Sequence, residues 1–401
     1  MKILLINNFH YIKGGSEAVY FNMAEMFVRA GHSVIFFSCK DKRNNSYGSN
    51  KHFVEHNGNV NPLLGAFRYI YNGSAKRALE RLIAEQRPDI AHIHLFWGGL
   101  SSSILGVLKR HNIPVVHTAH DYRMVCPAYT FRRISGYVCE DCLSGNYLHC
   151  LKNRCSKGRV IHSALMTTEA YFRKWFIRPL EAIDAFVFVS NFSYQQHLKA
   201  LPALKNKRCI VAFNAIAPLP QSAISQGIGD YYLYFGRLSY EKGLHTLINT
   251  FNALPHLKLK IVGEGDLEAE LRAAATSENI EFCGYQSGST LQDTIKQCKA
   301  IVVPSEWYEN NPMTIIEAQS AGIPTIGATI GGIPEIVESG VTGFLFTPKS
   351  AAELTAAIEA MEALDVEQYQ SMSRQCRISA AEKFSEQALY PKIIELYNSL
   401  L

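Results

Sequence analysis

No apolar run in the sequence reaches the roughly 18 residues that a membrane-spanning helix needs, which argues against an integral membrane protein. The opening residues, MKILLINNFHY, carry one lysine and a very short apolar run. They lack the longer apolar core and small-residue cleavage site of a secretory leader, so they read as a buried first strand and the expected compartment is the cytoplasm. No GxGxxG follows that strand, and none precedes an acidic residue about 20 positions on, which argues against a dinucleotide-dependent oxidoreductase. No Asp-X-Asp triplet is placed after a strand where it could hold a divalent cation. Short repeats and low-complexity tracts are also missing.

What is present is an ordinary globular composition, 47% hydrophobic and 19% charged. The 401 residues are too many for one core and imply two domains of about 200 residues each. Charge divides with them. Residues 1–214 hold 28 Lys+Arg against 13 Asp+Glu, or +15; residues 215–401 hold 12 against 22, or −10. A basic first half implies an anionic partner, such as nucleic acid, a phosphorylated acceptor or an acidic membrane surface. Ten cysteines in a cytoplasmic chain read as reduced thiols, metal ligands or catalytic groups, not as a disulfide frame.

Apolar runs alternate with helical spacing along both halves. Strands are expected at residues 3–6, 34–38, 90–94, just after 114–117 and at 186–189, with helices between them. Residues 219–229 resemble a linker. Beyond it strands are expected at 231–235, 258–262, 280–282, 300–304, 325–328 and 343–346, and three helical stretches follow. This rhythm predicts an α/β architecture of two Rossmann-like, doubly wound parallel-sheet domains. Their expected extents are 1–214 and 215–380, and a C-terminal helix at 381–401 is expected to pack back toward the first. The stretch 126–159, rich in Cys, Arg, Tyr and Gly, interrupts the rhythm and reads as an insertion.

Ligands on open parallel sheets bind beyond the carboxyl ends of the strands, so residues just after strands carry the information. The strand YYLYF runs into Gly236 and Arg237, and Lys242 and Gly243 open the next helix. Arg and Lys five residues apart across a tight turn can both reach one diphosphate, and a helix N-terminus adds N–H donors and a favourable dipole. In SEWYENNPMTIIEAQSAGIPTI, Pro312 fits the first turn of a helix. Glu309 then sits in the preceding loop, Glu317 inside the helix, and the amides of Met313 and Thr314 are left as anion donors. A carboxylate suits sugar hydroxyls and a ribose diol because it offers two acceptor oxygens.

GRLSYEKG, IVGEG, PSEWYENNPMTIIEA, AGIPTI and GGIPE occur in this order. With GGSE after the first strand and HTAHD later, they resemble the retaining glycosyltransferase family 4, the group 1 glycosyltransferases of GT-B fold, over essentially the whole chain. The resemblance implies two domains facing each other across a cleft, a nucleotide-diphosphate sugar as donor, and retention of anomeric configuration without an obvious protein nucleophile. It implies that Arg237 and Lys242 bind the donor diphosphate, that Glu309 contacts the transferred sugar, and that Glu317 contacts the ribose. Gly14 and Gly15 would let backbone amides approach phosphate or sugar, and His120 would lie beside the reacting sugar, with Asp121 as the second polar group there. Gly263 and Gly265 would lie near the nucleobase. Many relatives carry Phe-Gly shortly after the first motif glutamate, where this chain has Asn311 and Pro312. Which amides meet the sugar, and which sugar fits, is therefore open.

Fixed cations at Arg237 and Lys242 would stabilise the leaving diphosphate, which makes a divalent metal unnecessary for that step. Closure about a hinge near Asn214 would expel water. In the insertion, Cys139, Cys142, Cys150 and Cys155, with Cys126 as the alternate, suit a structural zinc site. Packed reduced thiols are the other reading. The basic half is expected to meet a saccharide or polyprenyl-diphosphate-linked acceptor in surface polysaccharide assembly. Residues 67–69 and 171–178, aromatic and basic, are candidates for an anionic membrane surface, or for packing in the core. A nucleotide-sugar epimerase of the same fold would need no separate acceptor. A non-enzymatic binder of anions or nucleic acid would leave Arg237, Lys242, Glu309 and Glu317 without a purpose.

Overall fold

The computed structural model describes residues 1–156 and 158–401. It divides into two compact units, one made of Met1–Phe213 with Leu389–Leu401 and the other of Asn214–Ala388. The first contains β1 (Lys2–Ile6), β2 (Ser33–Phe37), the short β3 (Cys39–Lys40) and β4 (Val54–Glu55), β5 (Ile90–Ile93), β6 (Val115–Ala119), β7 (Ala185–Phe188) and β8 (Arg208–Val211). The second contains β9 (Tyr231–Phe235), β10 (Lys258–Val262), β11 (Ile280–Gly284), β12 (Ala300–Val303), β13 (Thr325–Ala328) and β14 (Gly343–Phe346).

Each unit is built on a six-stranded sheet, ordered β2-β1-β5-β6-β7-β8 in the first and β11-β10-β9-β12-β13-β14 in the second. Every pairing is parallel. Parallel strands covered on both faces must be apolar throughout, and β5, β6, β7, β9, β12 and β13 are buried along their whole length. The order matters more than the strand count. In the first sheet the chain moves from β1 to β2 on one side and then to β5 on the other. In the second it winds outward from β9 through β10 and β11, then returns to β12 on the opposite side. Each sheet therefore has one switch point, β1/β5 in the first and β9/β12 in the second, where loops diverge and leave a crevice.

The helix Glu386–Asn398 contributes Tyr397 to the core of the first unit. Its hydroxyl lies 2.5 Å from His92 Nδ1, and its ring packs against Phe27 at 5.7 Å. Tyr390 on the same helix bonds His32 Nε2 at 2.9 Å.

Several elements went unread in the sequence. The edge strand β8 is only half-buried, so its apolar signal is weak. The helix Pro62–Ile70 has no buried residue at all. Residues 100–110 form a 3-10 turn, Ser102–Ile104, before a helix of six residues, Leu105–Arg110. The insertion is not devoid of structure: it contains a 3-10 turn, Asp141–Ser144, and a short helix, Leu148–Lys152.

Candidate active site

The loops after β9 and β12 flank the switch point of the second unit, and they bring an ion pair together. After β9 the chain turns through Gly236 at φ +150° and forms a 3-10 turn, Tyr240–Lys242. Gly243 follows at φ +70° and caps the helix Leu244–Asn252. A Cβ on Gly243 would lie 1.9 Å from the Pro304 carbonyl oxygen, so only glycine lets the β9 loop pack on the end of β12. That contact places Lys242 Nζ 2.6 Å from Glu309 Oε1. Ser305 Oγ donates to the same oxygen at 2.7 Å.

Glu309 is 6% exposed. Burial is the strongest influence on its carboxyl and pushes its pKa up, but Lys242 beside it, with the hydrogen bond from Ser305, brings it below the ordinary glutamate value. It is therefore an anion at neutral pH, held in place by a cation. The backbone of Glu309 is also fixed: its carbonyl accepts from Gly332 N at 2.7 Å. A Cβ on Gly331, at φ +62°, would meet that carbonyl oxygen at 2.2 Å. GGIPE is thus the support under Glu309, a role its spacing alone did not show.

Arg237 is exposed and sits 4.0 Å from Glu241 Oε1, a loose surface contact that leaves the guanidinium able to take an anion. Gly263 and Gly265 pack against this same loop. Added Cβ atoms there would fall 1.9 Å from the Gly236 carbonyl oxygen and 2.1 Å from that of Leu238. Leu238 N bonds the Glu264 carbonyl at 2.9 Å, so the IVGEG and GRL loops form one backbone layer.

The helix Met313–Ser320 begins after Pro312, which acts as its N-cap with no side-chain cap. Its first residues, Met313 and Thr314, follow the carboxyl end of β12, as Glu309 does. Asn311 is committed elsewhere: its side-chain oxygen accepts from Asn214 N at 2.7 Å and its carbonyl from Asn214 Nδ2 at 3.1 Å. Its buried Nδ2 has no partner among the described residues. Glu317 is half-buried among apolar neighbours, and burial pushes its pKa up to about 7.

In the first unit, β1 and β5 are stitched at their carboxyl ends by two asparagines. Asn7 Oδ1 accepts from Leu95 N, and Asn8 Oδ1 accepts from Leu100 N, both at 2.9 Å. Gly14 is the N-cap of the helix Gly15–Arg29, in extended backbone that any residue can adopt. Its neighbour Glu17 is buried, and burial raises its carboxyl pKa. His120, just after β6, stacks on His94, just after β5, with ring centroids 5.1 Å apart. His94 Nδ1 lies 2.8 Å from His120 Nε2. Burial holds the His120 pKa down at about 3 and that of His94 well below its ordinary value. Both rings are therefore neutral at physiological pH, and one N–H bridges them. Among the described residues the buried His94 Nε2 has no partner. Asp121 accepts from Arg123 N at 2.9 Å, and burial raises its pKa.

The candidate zinc ligands Cys139, Cys142, Cys150 and Cys155, with Cys126, are all free thiols. Among the described residues no group of three or more His, Cys, Asp or Glu side chains is arranged to hold a metal ion. The thiols lie near one another, but their partners are different. Cys139 bonds with Arg133 and Asp141. Cys155 bonds with Cys150, whose side chain is buried in the helix Leu148–Lys152. Burial pushes the Cys126 thiol up to about 11 and that of Cys142 higher still, so both pack as protonated small hydrophobes. The Arg133–Asp141 pair at 2.8 Å and Asn153 Nδ2 to Asp141 at 3.1 Å tie the segment together.

The aromatic-basic segments divide between core and surface. Arg173 is buried, pairs with Glu169 at 3.0 Å and bonds the carbonyls of Met124 and Arg123. Trp175 and Phe176, and Leu63 and Phe67 on the helix Pro62–Ile70, are exposed.

A sheet switch point with an exposed arginine, a paired lysine and glutamate and a helix N-terminus has the makings of an anion site on an α/β protein. Comparison with known proteins narrows the class. Residues 13–218 match Glycosyltransferase Family 4 and residues 223–379 match the family Glycosyl transferases group 1. The chain belongs to this glycosyltransferase family. It is 23% identical over 360 residues to an uncharacterized 42.6 kDa protein in the cps region of Klebsiella pneumoniae, covering 84% of this chain and 87% of that one. It is 26% identical over 275 residues to the sulfoquinovosyl transferase SQD2 of Arabidopsis thaliana, covering 66% of this chain and 48% of that protein. A putative colanic acid biosynthesis glycosyltransferase, WcaL of Salmonella typhimurium, is 26% identical over 177 residues, 41% of this chain and 44% of that one. Among solved structures, sucrose-phosphate synthase from Thermosynechococcus elongatus superposes with a TM-score of 0.72 at 18% identity, covering 100% of this chain and 98% of that one. Anabaena HepE in complex with UDP and glucose superposes at 0.68 and 19%, covering 100% of both chains. These likenesses show the GT-B fold.

Proposed function

We propose that this protein transfers a sugar, with retention of anomeric configuration, from a nucleotide-diphosphate sugar of the UDP or GDP type to a saccharide on a lipid-linked acceptor in surface polysaccharide synthesis. The observation that carries the reading is the Lys242–Glu309 pair at the second switch point. A buried carboxylate and a cation in contact are poised to separate onto a ligand that is anionic at one end and rich in hydroxyls at the other. Lys242 would move onto the diphosphate with Arg237, and Glu309 would accept from the transferred sugar. The amides of Met313 and Thr314 would add a helix-terminal dipole to the leaving group, so that charge stabilisation comes from the chain itself. Glu317 is assigned to the ribose, Gly236, Gly263 and Gly265 to close backbone approach, and Gly14, Gly15 and His120 to the sugar.

HepE was solved with UDP-glucose bound, and WcaL carries a polysaccharide assignment, which supports the donor class and the pathway class respectively. Exposed Phe67, Trp175 and Phe176 on the basic unit support a peripheral position at the inner face of the membrane.

The experiment is a thermal-shift screen of nucleoside diphosphates and their sugars, followed by turnover on a lipid-linked acceptor with and without EDTA. The anomer of the product is read by NMR. A Tm rise with one nucleobase, lost in Arg237→Gln and Lys242→Met, is expected. Turnover unaffected by both substitutions would overturn the assignment, and turnover abolished by EDTA would overturn its metal-independent part. Epimerised donor formed without any acceptor would favour an epimerase instead.

A further inference from the structure

The first unit holds a second concave feature, separate from the histidine pair. The strand pair β3/β4, the helix Pro62–Ile70 and the helix Gly73–Gln86 enclose a cavity of about 270 Å³. Its walls carry Lys40, Lys51, His52, Arg68 and Arg81. Its apolar lining comes from Phe53, Val54 and Ala78, all buried. A concave site with cations of one sign over a low-dielectric floor concentrates field and selects anions.

The cations are held loosely or not at all. Lys40 Nζ meets Glu55 Oε1 at 3.2 Å, and both side chains are more than half exposed. Lys51 Nζ and His52 Nε2 share Glu85 Oε2 at 2.8 and 3.0 Å. Exposed pairs of this kind are worth about 0–1 kcal/mol and give way to a stronger anion. Arg68 Nη2 donates to Ser74 Oγ at 3.3 Å and, among the described residues, has no carboxylate partner. Among the described residues Arg81 has no carboxylate partner. Four permanent cations, Lys40, Lys51, Arg68 and Arg81, face two carboxylates, Glu55 and Glu85, leaving a surplus of two positive charges.

The helix that supplies Arg68 also supplies a lip of another kind. Leu63 and Phe67 are 74% and 72% exposed, and Leu64, one turn before Arg68 and on its face of the helix, is exposed as well. Cationic pocket and bare apolar turn sit on one nine-residue element. That combination matches a molecule with a multiply charged phosphate head and a hydrocarbon tail. A surplus of two charges suits a diphosphate better than the single charge of a phosphodiester headgroup.

We propose that this cavity binds the diphosphate of a polyprenyl-linked acceptor, with the prenyl chain lying along Leu63, Leu64 and Phe67. The proposal rests on the lipid-linked acceptor reading given above and adds the place where the acceptor's charged group is held. It assigns the acceptor diphosphate to the first unit and leaves the donor diphosphate to Arg237 and Lys242 in the second.

Binding of geranylgeranyl diphosphate and of geranylgeraniol to the full chain, with UDP saturating the donor site, tests it. The wild type should bind the diphosphate at least tenfold more tightly than the alcohol. The double substitution Arg68→Gln with Arg81→Gln should erase that difference while UDP affinity and Tm stay unchanged. Equal binding of diphosphate and alcohol by the wild type, or a difference untouched by the double substitution, overturns the proposal. A further arm uses vesicles of phosphatidylglycerol. If the double variant loses vesicle binding but keeps its preference for the diphosphate, the cavity serves a phospholipid headgroup and the proposal fails. Failure of the parent reading looks different: the wild type binds the diphosphate lipid yet transfers no sugar to any lipid-linked saccharide.

Discussion

Removing the Lys242 ammonium tests both the stability and the chemistry of the second switch point. In the wild type the Glu309 carboxyl is almost fully buried and accepts from Lys242 Nζ at 2.6 Å and Ser305 Oγ at 2.7 Å. Lys242→Ala leaves a buried carboxylate with a single hydroxyl donor and no opposing charge. Breaking such a pair costs about 3–5 kcal/mol. For a unit of this size that is a Tm drop of roughly 6–20 °C, at about 2–4 °C per kcal/mol. The pH dependence changes sign as well. In the wild type the Glu309 pKa is depressed, so its contribution is present above the ordinary glutamate value and is lost as pH falls through the depressed one. Without Lys242, burial dominates and raises the pKa, so the variant should lose stability as pH rises from about 4.5. Differential scanning calorimetry at pH 4.5, 6 and 8 reads this directly. Lys242→Met with Glu309→Gln, which removes both charges, should recover most of the loss, with a coupling energy of about 2 kcal/mol or more. A Tm for Lys242→Ala within 1 °C of wild type at pH 8, or additive losses in the cycle, would refute the reasoning.

Other consequences are open to measurement. Glu317 has its pKa raised to about 7, so its ionisation opposes folding above the unfolded value of 4.5 and the penalty is complete above pH 7. Glu317→Gln should match wild type at pH 4.5, be more stable at pH 8 by up to about 3 kcal/mol at ~1.4 kcal/mol per tenfold, and bind nucleotide more weakly. Equal stability at both pH values would count against the raised pKa. Arg237→Gln should cost 10²- to 10³-fold in kcat, on the scale of one lost charge-stabilising donor. His94→Leu should change the His120 imidazole nitrogen shifts in an NMR spectrum and lower kcat with little effect on donor KM; unchanged shifts would show that the 2.8 Å contact does not persist in solution. Tyr397→Phe leaves buried His92 Nδ1 unpaired and should cost about 1–3 kcal/mol, read by chemical denaturation.

The strands of both sheets, the half-buried edge strand β8 excepted, were legible because a parallel sheet covered on two faces demands continuous apolar runs, as in YYLYF and AIVV. The residues after them were legible because Gly236, Arg237, Lys242, Glu309 and Glu317 combine unusual backbone freedom with charge. Strand order was not legible. Alternation gives the number of βα units but not the return from β11 to β12, and that return makes the two loops neighbours. Gly331 was invisible as a support for Glu309 because its requirement is tertiary: nothing local shows that a carbonyl from 22 residues earlier will lie 2.2 Å from the missing Cβ. The Pro62–Ile70 helix was missed because none of its residues is buried, so no core-facing stripe marks it. Cysteine spacing suggested metal ligands, but spacing does not specify the other partners the thiols have, such as Arg133 and Asp141 beside Cys139.

The first unit is discontinuous: its final segment, Leu389–Leu401, comes after all of the second. A ribosome therefore delivers some 175 intervening residues before the tyrosine that bonds His92 emerges. Until then the nascent unit lacks the hydroxyls that meet His92 and His32 and the ring that packs on Phe27. The second unit, although begun later, is complete in sequence at Ala388, before the first receives its closing segment, and is free to fold first. Damage at the tail of the gene product would accordingly register as a defect at its head.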